Sequence, residues 1–312
     1  MRACRSCLFL IALTGAAAAP GLRQVWSQAL APAAAIAEAT NRGASIPDFS
    51  GIWSHPYLTG FEMPFSGPGP VLNTSRSPSG VANFQKLVGD HTNPILQPWA
   101  AEVVKQHGKI SLAGVGYPTP SNQCWPGGVP YVFWDFLMQM FQEPDRITMI
   151  YRHGNEVRRV RMNAPHPAQV VPSWYGDSVG HYEGDTLVID TVGIKVGPFA
   201  MVDMYGTPHT EALHVVERYR LIDYADAKEA IARNDKENFR VRQDGFDPDY
   251  RGKVLQLQFA VEDPGAFTMP WSSMITYRRA IGEWTDLICA ENRHEYFAGR
   301  DSAVPTADRP DF

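Results

Sequence analysis

The sequence predicts a mainly β fold, organised as a single antiparallel barrel or a strongly curved sheet with a few short helices and long loops. Glycine (26 residues) and proline (25 residues) are spread along the 312-residue chain, and aromatic residues make up 11% of it. This composition suits a loop-rich β protein better than a helical one. Residues 213–221 and 255–261 also alternate apolar and polar side chains with period two, as half-buried strands do. The length allows one large β domain.

The first strand is expected shortly after Pro47, where the sequence runs PDFSGIW to Trp53. A Gly-x-Trp sequence at the start of a first strand resembles the opening of lipocalin-like barrels, in which the Trp fills the closed end. The alternative is a Trp that simply caps a strand.

Several later segments also carry local signals. Residues 60–82 are rich in Pro, Gly and Ser and predict a long loop, and Pro98 in the first turn of 98–107 predicts a helix. The apolar run 131–141 fits either a buried strand or a short helix. Two strand pairs are predicted, one formed by 146–152 with 156–162 and the other by 272–280 with 283–290.

Residues 223–253 interrupt the strand pattern with a charged, turn-rich segment. Within it, residues 226–233 have high helix propensity. We expect an insertion between neighbouring strands, which forms either a lid or partner surface, or a solvated excursion.

The N-terminus has the features of an export signal. Arg2 and Arg5 precede an apolar run at 7–19, which is too short to span a bilayer. Small residues at 16–18 and near 35 offer alternative cleavage sites, and a retained leader acting as an anchor is a further option. We therefore expect residues 1–37 to be a signal peptide with a flexible Ala-rich segment, 47–300 to be the barrel-like domain and 301–312 to be a tail. The mature protein would be periplasmic or secreted, without stable membrane insertion.

Cysteine positions and charge limit the possible partners. Cys4 and Cys7 lie in the leader, which leaves Cys124 and Cys289. In an oxidising compartment this pair predicts a disulfide, with a reactive thiol or metal ligands as alternatives. The net charge is −5 and no basic run offers a track for phosphates, so nucleic acid is not an expected partner. The oligomeric state is left open.

The segment from Trp174 to Thr191, WYGDSVGHYEGDTLVIDT, predicts a hairpin with unusual polar residues. If Glu183 and Gly184 form its loop, the side chains of Asp177, His181 and Asp190 share one face. On an interior face, a His between two carboxylates would be a proton-transfer site. The alternative is a solvated hairpin with its polar residues outside, and the choice depends on the register.

A second constellation follows in residues 208–217. His209, Glu211 and His214 are ligand types that zinc or a similar metal prefers, and they could also serve acid/base chemistry. Glu217 alternates with residues that look buried, so its carboxylate needs a partner such as Arg158 or Arg278, or a raised pKa inside a binding cavity.

Aromatic residues could line a cavity for an apolar or aromatic ligand. The candidates for ligand binding are Trp125, Trp134, Trp174 and Trp271, together with His166, which lies between prolines. The alternative is that the Trp residues fill the core and His166 is an ordinary loop residue.

The order of motifs resembles a large family of secreted bacterial β-rich proteins of unassigned function. The motifs that carry the resemblance are PDFSGxW at 47–53, CxPxGxP at 124–130, the 174–191 segment, PHTEALHVVER at 208–218, DPGAFTMPW at 263–271 and CAEN at 289–292. The match covers residues 47–292. It implies a β-rich exported protein but supplies no reaction. The chain departs from the family pattern at Tyr182, where Trp is usual, and at the charged segment 223–253.

The leading hypothesis for function is an exported enzyme that performs acid/base chemistry in a barrel cavity, of the lyase, isomerase, dehydratase or hydrolase type. Its substrate would be a small apolar or aromatic molecule, and the alternatives are a lipocalin-like binding protein without catalysis and a metal-dependent hydrolase. No nucleotide or flavin signature is present, so no cofactor is expected apart from a possible divalent metal. The candidate catalytic residues are Asp177, His181, Asp190, His209, Glu211 and Glu217.

Overall fold

The computed structural model describes residues 46–239, 249–281, 284, 287 and 288. Nine strands form a closed barrel in which each strand pairs with its neighbours in the sequence and the last pairs with the first. The strands are β1 (Gly51–Ser54), β2 (Leu137–Gln142), β3 (Arg146–Tyr151), β4 (Glu156–Met162), β5 (Asp177–Glu183), β6 (Thr186–Val192), β7 (His214–Ile222), β8 (Val254–Glu262) and β9 (Trp271–Arg279). The mainly β, lipocalin-like barrel is therefore confirmed.

One strand pair departs from the antiparallel pattern. β4 and β5 run parallel, with Arg161 opposite Val179 and Met162 opposite Gly180, whereas the other pairs are antiparallel. A parallel pair needs a connection that crosses back along the sheet, and residues 163–176 supply it. This connection contains His166.

Trp53 and Arg279 meet where β1 closes on β9. The indole is 1% exposed, donates a hydrogen bond to the Phe49 carbonyl and carries the Arg279 guanidinium 4.2 Å above its ring centroid. Gly51 has φ of 121°, and a Cβ there would lie 1.7 Å from the Arg279 side chain. The Gly-x-Trp sequence thus leaves room for the arginine that covers the tryptophan.

Helix α1 (Pro98–Leu112) begins with proline, as predicted, and extends beyond the predicted end. The apolar run 131–141 takes both of the forms considered for it. It begins as a short 3₁₀ helix (Tyr131–Trp134) and continues into β2.

Helix α2 (Tyr224–Glu237) lies in the connection between the paired strands β7 and β8, as expected of an insertion. It packs on the barrel instead of extending into solvent. Asp235 accepts a 2.6 Å hydrogen bond from Arg278, and Arg233 and Asn234 both contact the buried carboxylate of Glu62. The helix is therefore a docked part of the fold.

Some expectations fall outside the described residues. These are the signal peptide at 1–37, the tail at 301–312 and most of the strand predicted at 283–290. Strand β9 confirms the other half of that pair. Neither helix in the described part of the chain has both the length and the hydropathy of a membrane span.

Candidate functional site

A cavity of about 590 Å³ lies at the end of the barrel where β2 begins and where β3 turns into β4. Asp135 and Phe136 precede β2, and Arg152 and His153 belong to the β3–β4 turn. The end of α1 and the segment that follows it form another wall. The volume lies within the range of small-molecule sites, roughly 300–1,000 Å³.

Aromatic side chains form much of the cavity surface. Tyr57 packs on Phe136 with ring centroids 4.1 Å apart, and Phe84 stacks on Phe239 at 3.9 Å. The Trp134 side chain lines the same cavity and donates its N–H to the Leu58 carbonyl. Such walls favour a flat apolar or aromatic ligand, because aromatic rings prefer stacked and edge-to-face contacts with one another.

Asp135 places a buried carboxyl group on this aromatic surface. The residue is 5% exposed, and burial raises the pKa of its carboxyl to about 7. The backbone N–H groups of His153 and Leu137 donate hydrogen bonds to its two oxygens, which fixes the carboxyl group at the wall. A carboxyl group with a pKa near neutrality can both accept and donate a proton at physiological pH.

Glu156 lies beside Asp135 in a smaller adjoining pocket of about 20 Å³. Burial also raises the pKa of the Glu156 carboxyl to about 7. Hydrogen bonds from Tyr175 and from the backbone N–H of Gly127 lower the pKa and so offset part of this effect. Asp135 and His153 line both pockets. The two carboxyl groups therefore share a wall, and the charge of Glu156 adds to the effect of burial on the pKa of Asp135.

The hairpin predicted at 174–191 forms as β5 and β6, but its polar face lies outside the barrel. Asp177 pairs with Val192 and His181 with Val188, two positions away from the predicted register. A shift of two keeps Asp177, His181 and Asp190 on one face. Because Ser178 and Gly180 are the buried positions of β5, that face is the outer one. The interior proton-transfer site expected there is therefore not formed.

His166, not His181, lies between the two carboxylates. Its Nδ1 is 2.7 Å from Asp177 and its Nε2 is 3.1 Å from Asp190, because the crossover connection before β5 places it over the hairpin. His181 instead contacts Glu183, and 42% of its side chain is exposed. The sequence predicts His166 as a ligand contact, whereas the structure places it on the outer face of the barrel. There it forms, with Asp177 and Asp190, what we call the outer-face cluster.

Glu217 has the partner expected of a buried carboxylate. Arg158 donates two hydrogen bonds to it, of 2.8 and 2.6 Å, and both side chains are 0% exposed. Ser178 and Thr191 accept further hydrogen bonds from Arg158, and Tyr219 donates to Glu217. Arg278, the other arginine considered, binds Asp235. The location favours a structural ion pair in the barrel core over a catalytic role for Glu217.

The predicted metal set does not converge on one point. His209 is buried with its Nδ1 near the Thr210 carbonyl, Glu211 is exposed, and His214 contacts Asp190 at 3.0 Å. Within the described ranges, no group of three or more His, Cys, Asp or Glu side chains is arranged to hold a metal ion. The hydrogen bond to Asp190 raises the pKa of His214.

The four predicted tryptophans have different environments. Trp134 lines the cavity, whereas Trp271 is 2% exposed and packs on Phe267 in the core. Trp125 and Trp174 form an edge-to-face pair at 5.2 Å around a space of only about 10 Å³. Only Trp134 among them is therefore placed to contact a ligand in the large cavity.

Asp135 and Glu156 were not predicted, although the sequence carries a signal for the first. Asp135 is the only charged residue in the apolar run 131–141. A carboxylate within such a run has to be buried or to face a cavity. Glu156 begins a strand whose pattern is otherwise ordinary, so no comparable signal marks it.

Comparisons with protein-family models, with curated proteins and with solved structures found no match to this chain.

Proposed function

We propose that the protein is an enzyme that performs acid/base chemistry on a small apolar or aromatic molecule bound in the cavity at the barrel end. The observation that carries this proposal is Asp135, a buried carboxyl group with a pKa near 7 on the aromatic wall of a ligand-sized cavity. Perturbed carboxyl groups in clefts are frequent at catalytic sites.

The coupling of Asp135 to Glu156 supports this chemistry. When two neighbouring carboxyl groups titrate near the same pH, the first ionisation opposes the second. Near neutral pH both carboxyl groups exchange protons readily, and the charge on Glu156 favours the protonated form of Asp135. This arrangement supports elimination, isomerisation, dehydration or hydrolysis, in which a proton leaves one atom of the substrate and another atom gains one.

Asp135 is the proton acceptor in this proposal because it lines the larger cavity, whereas Glu156 lines only the smaller pocket. The backbone N–H of His153 orients the Asp135 carboxyl group. Aromatic contacts from Tyr57, Phe136 and Trp134 hold the flat substrate against it.

Cleavage of 5-nitrobenzisoxazole tests the proposal without knowledge of the natural substrate. A base removes the ring C–H proton of this small aromatic compound, the C–H electrons form a nitrile, and the N–O bond breaks to release a coloured phenolate. We expect the rate to rise with pH around a midpoint near 7. Asp135→Asn should lower the rate by about 10²-fold or more.

Asp190→Asn is the matched control, because Asp190 is a carboxylate of the outer-face cluster. It should keep the wild-type rate and midpoint. Equal rates for wild type and Asp135→Asn would contradict the catalytic proposal.

A lipocalin-like binding protein without catalysis is the second candidate, and the aromatic walls of the cavity favour it. Tight binding of aromatic probes with no Asp135-dependent cleavage would support this alternative. The metal-dependent hydrolase is tested by metal analysis of the purified protein, where one equivalent of zinc would support it.

We also propose that the protein is exported, on the strength of Arg2, Arg5 and the apolar run at 7–19. Cys124 and Cys289 are proposed to form a disulfide in the oxidising compartment. Cys289 lies outside the described residues.

A further inference from the structure

His107 is a buried imidazole at the wall of the cavity. It lies in α1 and is 1% exposed, and neither ring nitrogen has a hydrogen-bond partner among the residues that the structure describes. Buried polar atoms in folded proteins nearly always have partners, since an unpartnered one loses its hydration without compensation. Two unpartnered nitrogens beside a ligand-sized cavity indicate groups that a ligand satisfies.

The ring is neutral at physiological pH, because burial lowers its pKa to about 4. The Leu87 backbone opposes this effect in part. A neutral imidazole has one N–H donor and one acceptor nitrogen. The unprotonated nitrogen is complemented by a hydrogen-bond donor, and the N–H by an acceptor on the other side of the ring.

The packing around His107 determines the side from which a ligand can reach it. Gly206 contacts one side of the ring so closely that a Cβ there would lie 2.5 Å from the imidazole. Tyr117 covers the ring on another side, with ring centroids 4.0 Å apart, and itself lines the cavity. The chain from Gly114 to Tyr117 forms part of the cavity wall, and Gly114 has φ of 76°. A ligand therefore approaches His107 from the cavity that His107 and Tyr117 both line.

We propose that His107 recognises a hydroxyl group on the aromatic ligand, so that the cavity takes phenols or aromatic alcohols in preference to pure hydrocarbons. This inference rests on the proposed function, because it takes the same cavity as the substrate site. A hydroxyl group can donate a hydrogen bond to the unprotonated nitrogen of neutral His107, which a hydrocarbon cannot do. Pairing this nitrogen on binding removes part of the desolvation penalty that the free protein carries.

Fluorescence titration with 2-naphthol and naphthalene measures this preference, since the two probes differ by one hydroxyl group. Wild type should bind 2-naphthol about tenfold more tightly than naphthalene, as expected for one net hydrogen bond. His107→Phe should bind both probes alike, because it keeps an aromatic ring and lacks the nitrogens. His91→Phe is a control with the same change at a residue outside the cavity, and it should keep the preference.

Two further measurements distinguish recognition from a structural role. His107→Gln, whose amide donates and accepts, should restore part of the preference, and His107→Phe should unfold at or above the wild-type temperature. In wild type, 2-methoxynaphthalene should lose most of the advantage of 2-naphthol, because its ether oxygen accepts but does not donate. This last comparison needs no variant.

The outcomes separate the two proposals. Equal affinity of wild type for 2-naphthol and naphthalene overturns the role of His107 while leaving the aromatic cavity intact. An unchanged preference in His107→Phe overturns it as well. Binding of neither probe to wild type overturns the aromatic cavity, and with it the proposed function.

Discussion

Asp135 and Glu156 share the wall of one small pocket, where burial raises the pKa of each carboxyl group to about 7. The negative charge of Glu156 raises the pKa of Asp135 further, and Arg152 only partly opposes it. Asp135 also faces the larger aromatic cavity. The pair therefore places carboxyl groups that exchange protons near neutral pH beside a cavity that fits an apolar substrate.

The raised pKa of Asp135 makes stability depend on pH. Its folded pKa of about 7 lies above the ordinary value of 3.8, so between these values the folded protein binds more protons than the unfolded chain. Protonated Asp135 therefore adds to the free energy of unfolding, and this contribution is fully present below pH 3.8. It is lost as the pH rises through 7, and each unit of difference between the two pKa values corresponds to about 1.4 kcal/mol. Denaturant unfolding across this window measures the effect as the difference between wild type and Asp135→Asn.

His55 and His107 have pKa values lowered to about 4. Their contribution to the free energy of unfolding therefore increases as the pH rises to about 6.5, opposite to that of Asp135, and it is the same in wild type and in Asp135→Asn. The stability of Asp135→Asn relative to wild type should therefore increase as the pH rises from 4 to 7. A constant difference across the window would show that Asp135 has an ordinary pKa.

The buried pair Arg158–Glu217 should be costly to break from one side. Glu217→Gln leaves the Arg158 guanidinium in the barrel core without its countercharge, which should cost about 3–5 kcal/mol of unfolding free energy. Replacing both partners with apolar residues should recover much of this loss. Chemical denaturation of the single and double variants measures the two effects.

Arg161 provides the control for this pair, because its ion pair with Asp177 is partly exposed. Arg161→Met should cost only about 0–1 kcal/mol. A Glu217→Gln variant no less stable than Arg161→Met would contradict the account of the buried pair.

His181→Ala distinguishes the site predicted from the sequence from the site proposed here. A catalytic His181 would make this variant inactive while leaving its thermal midpoint nearly unchanged. Because the side chain lies on the outer face and contacts Glu183, we expect the variant to keep both its stability and its cleavage of 5-nitrobenzisoxazole. Loss of activity with retained stability would instead support a catalytic role for His181 in the hairpin.

The predicted disulfide is tested by thiol titration. Cys124→Ser should lower the thermal midpoint and leave Cys289 as a free thiol, since a cross-link between distant residues restricts the unfolded chain. The comparison uses mature wild-type protein purified under oxidising conditions. Two free thiols in that protein would show that the disulfide does not form.

The barrel was predictable because period-two patterns mark its strands independently of their partners. Alternation at 213–221 already placed Glu217 on the buried face, which left a partner such as Arg158 or Arg278, or a raised pKa, as the alternatives, and the structure pairs it with Arg158. The parallel contact of β4 with β5 was not predictable, because the path of residues 163–176 is set by packing and not by local sequence.

The site was harder to predict because it depends on which face of each strand is buried. The face shared by Asp177, His181 and Asp190 was identified correctly, but Ser178 and Thr191 are the side chains that point inward to Arg158. These small hydroxyl residues look unremarkable in the sequence. Asp135 and Glu156 are far from the motif and are brought together by β3, which pairs with β2 on one side and with β4 on the other, so their raised pKa values depend on tertiary burial.

The most direct test of the central claim is the pKa of Asp135 itself, measured by NMR of isotope-labelled aspartate carboxyl carbons during a pH titration. Asp135→Asn identifies the resonance, and Glu156→Gln removes the coupled neighbour. We expect Asp135 to titrate near pH 7 in wild type and at a lower midpoint in Glu156→Gln. Titration of Asp135 near the ordinary value of 3.8 would contradict the proposed role, since a carboxylate that is fully ionised at neutral pH does not exchange protons there.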